Sequence, residues 1–186
     1  MTTQLIAAPT EEPVTLSELK SYLRVTHTDE DVSIARIGMA ARHALEMRTG
    51  VCFVSQQWRM ERDCAPNGPL KLPRSPVSSV DLVAVLNDAG SFEAVPSADY
   101  DYTLGVAARL TQSGYWPQPA SSLSGIRIDF TAGWADAASV PAALKQAVLS
   151  LGAHFYEHRE AASAERVFKI PESIDALMAP YKDVQL

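Results

Sequence analysis

The hydrophobic period of the chain changes twice along its length, and this change constrains the fold more than any other feature. Apolar side chains follow a helical period up to Gly50, a period near two from Val51 to Trp134, and a helical period again from Ser139. A period of about 3.6 residues indicates an amphipathic helix, and a period of about two indicates a half-buried strand. The order helix, helix, strands, helix, helix therefore predicts an α+β protein.

The two N-terminal helices have recognisable start and end signals, and residues 1–13 before them have little pattern, which predicts an arm or extended lead-in. Thr15-Leu-Ser-Glu18 forms a capping box and predicts a short helix over 16–24. The acids of Thr28-Asp-Glu-Asp31 favour the start of a second, long amphipathic helix that ends at Gly50. The face of this helix opposite its apolar stripe carries four polar side chains, Arg36, Arg42, His43 and Glu46.

The middle of the chain is predicted to form short strands. Phe53–Arg62 and Val77–Leu86 are the longest, and Asn87-Asp-Ala-Gly90 after the second indicates a hairpin turn. Further short strands are predicted at Phe92–Val95, Tyr102–Leu104 and Ile126–Phe130. Frequent prolines keep the strands short and often at sheet edges. Gly114–Ser124, with two prolines and several serines, is predicted to be an exposed loop.

The C-terminal segment returns to helix. Val140-Pro141 begins a helix with so wide an apolar surface that it must be buried on more than one side, and 171–179 forms a last short helix. Neither pair of helices can bury its apolar face alone, so the two pairs are expected to pack together. The predicted fold is a single α+β domain, 1–186. It is a mainly helical bundle of N-terminal helices (14–50) and C-terminal helices (139–179), with an inserted small antiparallel β unit (51–134) and a tail (180–186).

Composition excludes several classes of function. The net charge of −6 and the pI near 5.2 argue against a protein that grips nucleic acid, because such binding needs clustered Lys and Arg. No apolar run is long enough to span a membrane, and Met1–Pro13 lacks the basic and apolar regions of a signal peptide, so cytoplasmic synthesis is expected. Two cysteines, Cys52 and Cys64, suggest isolated thiols rather than a disulfide framework or a zinc site.

One short motif could carry chemistry. His154-Phe-Tyr-Glu157-His158 matches H-x-x-E-H, in which two histidines one helical turn apart bind zinc and the glutamate activates water. A catalytic zinc needs a third protein ligand, and Glu160, Glu165 and Glu172 are available without an arrangement that favours one of them. The alternative is that both histidines cap or line the last turns of the helix, where they suit its dipole. This second interpretation is preferred, and no cofactor or metal is predicted.

No other constellation indicates catalysis. The nucleophile-elbow motif, the Walker phosphate loop and the dinucleotide-binding glycine motif are all absent. The acids Asp29, Glu30 and Asp31 are explained better by a helix N-terminus than by a cation site. Three tryptophans (Trp58, Trp116 and Trp134) lie too far apart for a base-stacking ladder and are expected to be core or interface anchors.

Several stretches, in order over nearly the whole chain, resemble the head–tail connector (adaptor) proteins of tailed phages, prophages and gene transfer agents. The first are Pro13-Val-Thr-Leu-Ser-Glu-Leu-Lys-Ser-Tyr-Leu-Arg24 with Asp29-Glu-Asp31, Glu46-Met-Arg-Thr-Gly50 and Gln57-Trp-Arg59. Then follow Leu72-Pro-Arg-Ser-Pro-Val77, Phe130-Thr-Ala-Gly-Trp134 and Val140-Pro-Ala-Ala-Leu-Lys-Gln-Ala147. The last are Phe155-Tyr-Glu-His-Arg-Glu160 and Ile174-Asp-Ala-Leu-Met-Ala-Pro-Tyr181.

The resemblance implies a structural subunit rather than an enzyme. Proteins of this family form a ring of about twelve copies between portal and tail, with a channel for DNA. The implied partners are the portal protein, neck or tail-completion (stopper) proteins and further copies of the chain, without a membrane and without specific DNA binding. The implied location is the neck of a virion or phage-like particle. The residues expected to bind the portal are those of the C-terminal tail, Tyr181, Lys182, Asp183, Val184, Gln185 and Leu186. The alternatives are a metal-dependent hydrolase built on His154, Glu157 and His158, or another neck or tail-completion protein.

Overall fold

A computed structural model describes residues 1–121, 123–158 and 171–181 of the chain. The described residues contain eight strands and four α-helices and belong to two compact units. The first, here called the β unit, comprises Met1–Thr10 and Ser55–Trp134. The second, here called the helical unit, comprises Glu11–Val54 and Ala135–Leu186. The prediction of an α+β fold with antiparallel sheets is confirmed. The description "mainly helical" is not supported, because strands form a comparable part of the described chain.

The β unit contains two antiparallel sheets. Its strands are β1 (Thr2–Ala7), β2 (Gln56–Arg62), β3 (Leu70–Lys71), β4 (Val77–Leu86), β5 (Phe92–Ala94), β6 (Tyr100–Tyr102), β7 (Arg109–Gln112) and β8 (Ile126–Ala132). Five strands form one sheet in the order β1-β2-β8-β4-β5, and three form another in the order β3-β7-β6. The predicted strand over 77–86 has the bounds expected from the sequence, and the turn after it connects β4 to β5 as a hairpin.

The central strand, β8, shows why the period of two predicted this sheet. Its residues alternate between buried and half-buried from Ile126 to Ala132. Trp58 lies opposite Phe130, and Met60 lies opposite Ile128, so apolar side chains of two strands share one buried face. Such cross-strand apolar pairs are the unit by which a sheet is stabilised. The intervening residues, among them Arg59 and Asp129, share the other face.

The N-terminal segment differs from its prediction. Residues Thr2–Ala7 do not form an unpaired arm but an edge strand that pairs antiparallel with β2. The pairing joins segments about fifty residues apart in sequence, such as Gln4 with Arg59. Local patterning could not indicate it, because the hydrogen bonds that make this segment a strand come from a distant partner.

The helical unit is formed by helices from both ends of the chain. Its helices are α1 (Leu16–Leu23), α2 (Asp31–Thr49), α3 (Ala142–Glu157) and α4 (Glu172–Met178), and α4 is followed by a 3₁₀ turn, Ala179–Tyr181. The capping box opens α1: Glu18 accepts from the Thr15 N–H at 2.7 Å, and Thr15 accepts from the Glu18 N–H at 3.2 Å. Gly50 ends α2 with a φ of 75°, the left-handed conformation that the sequence predicted at this position.

Helix α3 is the common partner of the other three helices, as its wide apolar surface predicted. Its buried residues include Leu144, Val148 and Leu151. Leu19 of α1 packs between two glycines, since a Cβ built on Gly38 of α2 or on Gly152 of α3 would lie 3.2 Å from a Leu19 methyl group. The absence of side chains at both positions allows the three helices to approach closely. None of the described helices is long and apolar enough to cross a membrane.

Candidate interaction surfaces

The two histidines of the H-x-x-E-H motif lie side by side at the C-terminal end of α3. Their ring centroids are 4.3 Å apart. Nδ1 of His158 lies 2.8 Å from the carbonyl oxygen of His154, which places the His158 ring against the last carbonyls of its own helix. The Nε2 atom of His154 is buried and has no hydrogen-bond partner among the described residues. Glu157 is exposed to solvent.

A third ligand to complete a metal centre is not found in the described part of the chain. No cluster of three His, Cys, Asp or Glu side chains there could hold a metal ion. Of the three glutamates considered from the sequence, Glu172 belongs to no such cluster, and Glu160 and Glu165 lie outside the described residues. The contact of His158 with the His154 carbonyl matches the capping interpretation for His158, whereas the buried Nε2 of His154 caps no carbonyl among the described residues.

The expected portal-binding tail begins at the end of α4. Ile174 and Met178 are buried, and Arg48 of α2 donates a hydrogen bond to Asp175 at 3.1 Å, so this short helix is attached to the rest of the helical unit. Tyr181 is half-buried at the end of the following 3₁₀ turn. The other expected portal-binding residues, Lys182, Asp183, Val184, Gln185 and Leu186, lie outside the described residues.

The acidic segment before α2 serves the helical unit itself. Asp31 is the first residue of the helix and forms an ion pair with Lys20 of α1. Glu30 accepts a hydrogen bond of 2.5 Å from the Tyr156 hydroxyl of α3. These two carboxylates therefore connect α2 to α1 and to α3. Asp31 lies in the first turn of α2, as predicted, but the side chain of Glu30 makes no capping hydrogen bond.

A buried ion network lies beside α2 and was not expected from the sequence. Arg42 donates hydrogen bonds to Glu12 at 2.7 and 3.1 Å and to Glu46 at 2.7 Å. The other oxygen of Glu46 accepts from the backbone N–H of Phe53 at 2.9 Å. Burial acts to lower the pKa of Arg42, but its hydrogen bonds and the charges of Glu12 and Glu46 outweigh burial and raise the pKa above its ordinary value.

This network corrects the prediction that Arg42 and Glu46 lie on the polar, exposed face of α2. Arg42 and Glu46 are only 8% and 3% exposed, whereas the sequence pattern assigned both to the polar face. Their i,i+4 spacing was the available signal, since an Arg and a Glu one turn apart can pair on a helix. Arg36 and His43 are exposed as the pattern indicated, and the same helix also exposes the apolar residues Val32, Met39 and Met47.

On the polar face of the five-stranded sheet, arginine and carboxylate side chains neutralise one another's charge. Arg59 of β2 forms a two-pronged pair with Asp129 of β8, with both distances 2.7 Å. Arg127 of β8 donates to Glu61 of β2 at 3.3 Å, and its guanidinium lies 3.7 Å from the centre of the Phe92 ring. Since each of these cations already has a carboxylate partner, this face offers little free positive charge to a phosphate backbone.

The tryptophans act as anchors, as the sequence predicted. Trp58 and Trp116 are buried, and Trp134 is half-buried. Trp116 donates from its indole Nε1 to the Asp99 carbonyl at 2.9 Å. Because Trp116 is buried, the predicted loop over 114–124 is not exposed throughout its described residues. Exposed apolar side chains of the β unit do occur next to β6, at Tyr102, Leu104 and Val106.

The described geometry is therefore that of an α+β protein with interaction surfaces and without a recognisable catalytic centre among the described residues. No protein-family model matches the chain, and no curated protein matches it.

Solved structures with the same fold include chains of gene transfer agent (GTA) particles. A chain in the neck of an empty GTA particle, computed with C6 symmetry, is 25% identical with a TM-score of 0.83. A chain in the neck of a native GTA particle, computed with C12 symmetry, is 23% identical with a TM-score of 0.79. A chain in the virion of a native GTA particle is 24% identical with a TM-score of 0.82. Each match covers 100% of this chain and 97% of the other. The expected likeness to a neck protein of a phage-like particle is confirmed at the level of the fold.

Proposed function

We propose that the chain is a head–tail connector subunit, located in the neck of a phage-like particle such as a gene transfer agent, where it joins portal to tail. One observation carries the proposal: the fold matches a GTA neck chain over 100% of this chain and 97% of that one, at a TM-score of 0.83. The match includes both the β unit and the helical unit. It therefore favours a role shared by the two whole proteins rather than one module that both happen to contain.

The proposed subunit forms a closed ring of about twelve copies around a channel for DNA. Support comes from the C6 and C12 symmetries with which the similar necks were computed. A ring that DNA must pass through works best when its wall does not retain DNA. A net charge of −6 and the paired arginines of the sheet fit that requirement.

The proposed partners are the portal above the ring and a stopper or tail-completion protein below it. The proposed portal contact is the C-terminal tail, Tyr181–Leu186, which follows the attached helix α4. The role is mechanical rather than catalytic, and it involves no cofactor. This proposal is supported by the structural neighbours, which are components of particles.

Deletion of Tyr181–Leu186 tests the portal contact. The truncated protein should keep the fold and thermal unfolding of the full chain, because the buried residues of α4 precede the deletion. Particles made with it should contain packaged DNA but lack tails, since portal docking is lost. Electron microscopy of the particles measures the tailed fraction, and circular dichroism measures unfolding.

The matched control exchanges Ser173 for Ala at the exposed start of α4, where the tail is left intact. A truncated protein that still joins portal and tail at the level of this control would remove the tail from the mechanism. Imaging necks with labelled protein tests the location separately: a chain missing from purified necks would reject the connector proposal as a whole.

A further inference from the structure

Helix α2 carries an apolar stripe on its solvent-facing side. Val32, Met39 and Met47 follow one another at seven and eight residues, about two helical turns each, so they share one face. They are 65%, 49% and 55% exposed, although large apolar side chains are normally buried. The buried side of the same helix, with Ile34, Ala41 and Leu45, is already used within the helical unit. A group of exposed apolar side chains on one face of a helix is a candidate interaction site.

The stripe is also basic, in contrast to the chain as a whole. Exposed Arg36 and His43 lie between its apolar members, and Glu46 is the only acid between Val32 and Thr49. Of the three acids that precede Val32, Asp31 is paired with Lys20 and Glu30 accepts from Tyr156, whereas Asp29 is exposed. Glu46 is buried and paired with Arg42, so it does not neutralise the surface. The side chain of Arg36 forms no ion pair or hydrogen bond with other residues in the described ranges. The stripe, here defined as Val32, Arg36, Met39, His43 and Met47, therefore combines apolar area with unpaired positive charge.

Charge complementarity indicates what covers the stripe. Each copy has a net charge of −6, so the remainder of its surface is more acidic than the stripe. Exposed acids of the helical unit, such as Glu157 and Glu172, contribute to that acidic surface. A cyclic ring uses two different faces of each copy at every contact, so a basic apolar face can meet an acidic face of the next copy. Such a contact also offsets the repulsion between like-charged copies.

The composition of the stripe fits a protein partner better than DNA. Met and Arg are enriched in the centres of protein interfaces, where flexible Met side chains adapt to the opposing surface. A phosphate backbone would need clustered cations, whereas the stripe has one arginine and one histidine among three apolar side chains. We propose that the α2 stripe is the face through which each copy contacts the next copy in the ring. This inference rests on the proposed connector function.

Site-directed cross-linking in assembled necks tests the inference. A photoactivatable group is attached to Met47→Cys in a Cys64→Ser background, because Cys64 is exposed and Cys52 is buried. The expected product has twice the 20.2 kDa mass of the chain and joins residue 47 to another copy. The control, Leu123→Cys, places the group at an exposed apolar position of the β unit and should give no such product in comparable yield.

The possible results separate the inference from the proposed function. Products joined only to the portal, to another neck protein or to DNA would overturn the inference while leaving the connector role in place. Necks that contain the protein but give no copy-to-copy product from residue 47 would also overturn it. Purified necks without the protein would reject the connector role, and the inference with it.

Substitutions provide a second measurement. Met39→Asp should raise the concentration needed for half-maximal ring formation on the portal by about tenfold or more, because it places a charge in the contact. Met39→Leu keeps apolar volume and should assemble like the original protein, as should Leu123→Asp, which adds the same charge elsewhere. Circular dichroism identifies any variant that fails to fold. A folded Met39→Asp protein that forms rings as readily as Leu123→Asp would contradict the inference.

Discussion

At the scale of single residues, the most consequential group is the ion network of Arg42, Glu12 and Glu46. Its charge-assisted hydrogen bonds join three parts of the helical unit: the residues before α1, helix α2 and the segment that follows α2. The guanidinium of Arg42 offsets the cost of removing these carboxylates from water, and that cost is uncompensated when the guanidinium is absent. The stability of the network therefore depends on all three members at once.

Replacing Arg42 with Met should destabilise the protein strongly. The change keeps much of the side-chain volume but leaves Glu46 buried without its cation, which costs about 3–5 kcal/mol. Urea unfolding followed by circular dichroism measures the loss. Arg36→Met on the exposed face of the same helix is the matched control and should change stability by less than about 0.5 kcal/mol. An equal loss of unfolding free energy in the two variants would show that the buried network stabilises the protein no more than a surface arginine does.

The capping box of α1 predicts a small pH dependence. Hydrogen bonds from the Thr15 backbone and side chain hold the pKa of Glu18 below its ordinary value. A carboxyl whose pKa is lowered by folding stabilises the folded state at pH values above its unfolded pKa, and this contribution disappears as the pH falls through its folded pKa. Glu18→Gln keeps an acceptor but removes the charge, so it should cost about 0.5 kcal/mol or less at neutral pH, since the site is exposed.

The comparison of Glu18→Gln with the original protein should be made by thermal unfolding across the acid range. The stability difference should shrink as the pH falls below the ordinary range of a glutamate carboxyl. If the difference in stability stayed constant down to the most acid pH at which the protein folds, it would come from packing rather than from charge.

At the scale of elements, α3 unites helices that are far apart in the sequence. Its contacts with α1, α2 and α4 make the N-terminal and C-terminal helices one packed group. Leu151 lies fully buried on this helix, and Leu19 packs against Gly152 one residue further along. Packing so close transmits a defect in α3 to its neighbours.

Leu151→Ala should cost about 2–5 kcal/mol and should also destabilise α1 and α2. The reason is that the shorter side chain leaves a cavity in the core that α3 shares with α1, α2 and α4. Hydrogen exchange measured by mass spectrometry should show faster exchange in both N-terminal helices. Leu149→Ala, at a half-buried position of the same helix, is the control and should cost less. Unchanged protection of α1 and α2 alongside opening of α3 and α4 would refute a shared core.

The elements differ in how well the sequence predicts them. The alternation of β8, the length of β4 and the caps of α1 and α2 depend on neighbouring residues, so local patterns predicted them. Strand β1 depends on a partner far along the chain, and local patterns missed it. They also missed the short strand β7, which pairs with the nearby β6 and with the more distant β3. The burial of Arg42 and Glu46 was missed for the same reason, because Glu12 and Phe53 cover them from outside the helix. The exposure of Met39 and Met47 follows from the helical period, because both lie on the face of α2 opposite Ala41 and Leu45.

At the scale of the whole molecule, charge limits self-association. A net charge of −6 is repeated on every copy, so copies in solution repel unless specific contacts oppose the repulsion. In the proposed ring, a portal that aligns the copies would supply an additional contact to each one. Ring formation is then expected to depend on the portal as a template.

The isolated protein should accordingly be a monomer or a small oligomer at low concentration, and rings should form when portal is added. Sedimentation velocity with and without portal measures both states. The control is a portal that lacks the surface proposed to bind the C-terminal tail of the chain, or an unrelated ring protein of similar size. Complete rings formed by dilute protein alone would contradict the need for a template.

The strand order of the five-stranded sheet has a consequence for synthesis on the ribosome. The central strand, β8, is the last strand of this sheet to be translated, yet both β2 and β4 pair with it. At about 5–20 residues per second, the nascent chain therefore spends on the order of ten seconds before Ile126–Ala132 is made. During that interval β1–β2 and β4–β5 can exist only as separate pairs with uncovered edges. Nascent copies translated side by side on one message would be most prone to mispairing in this window.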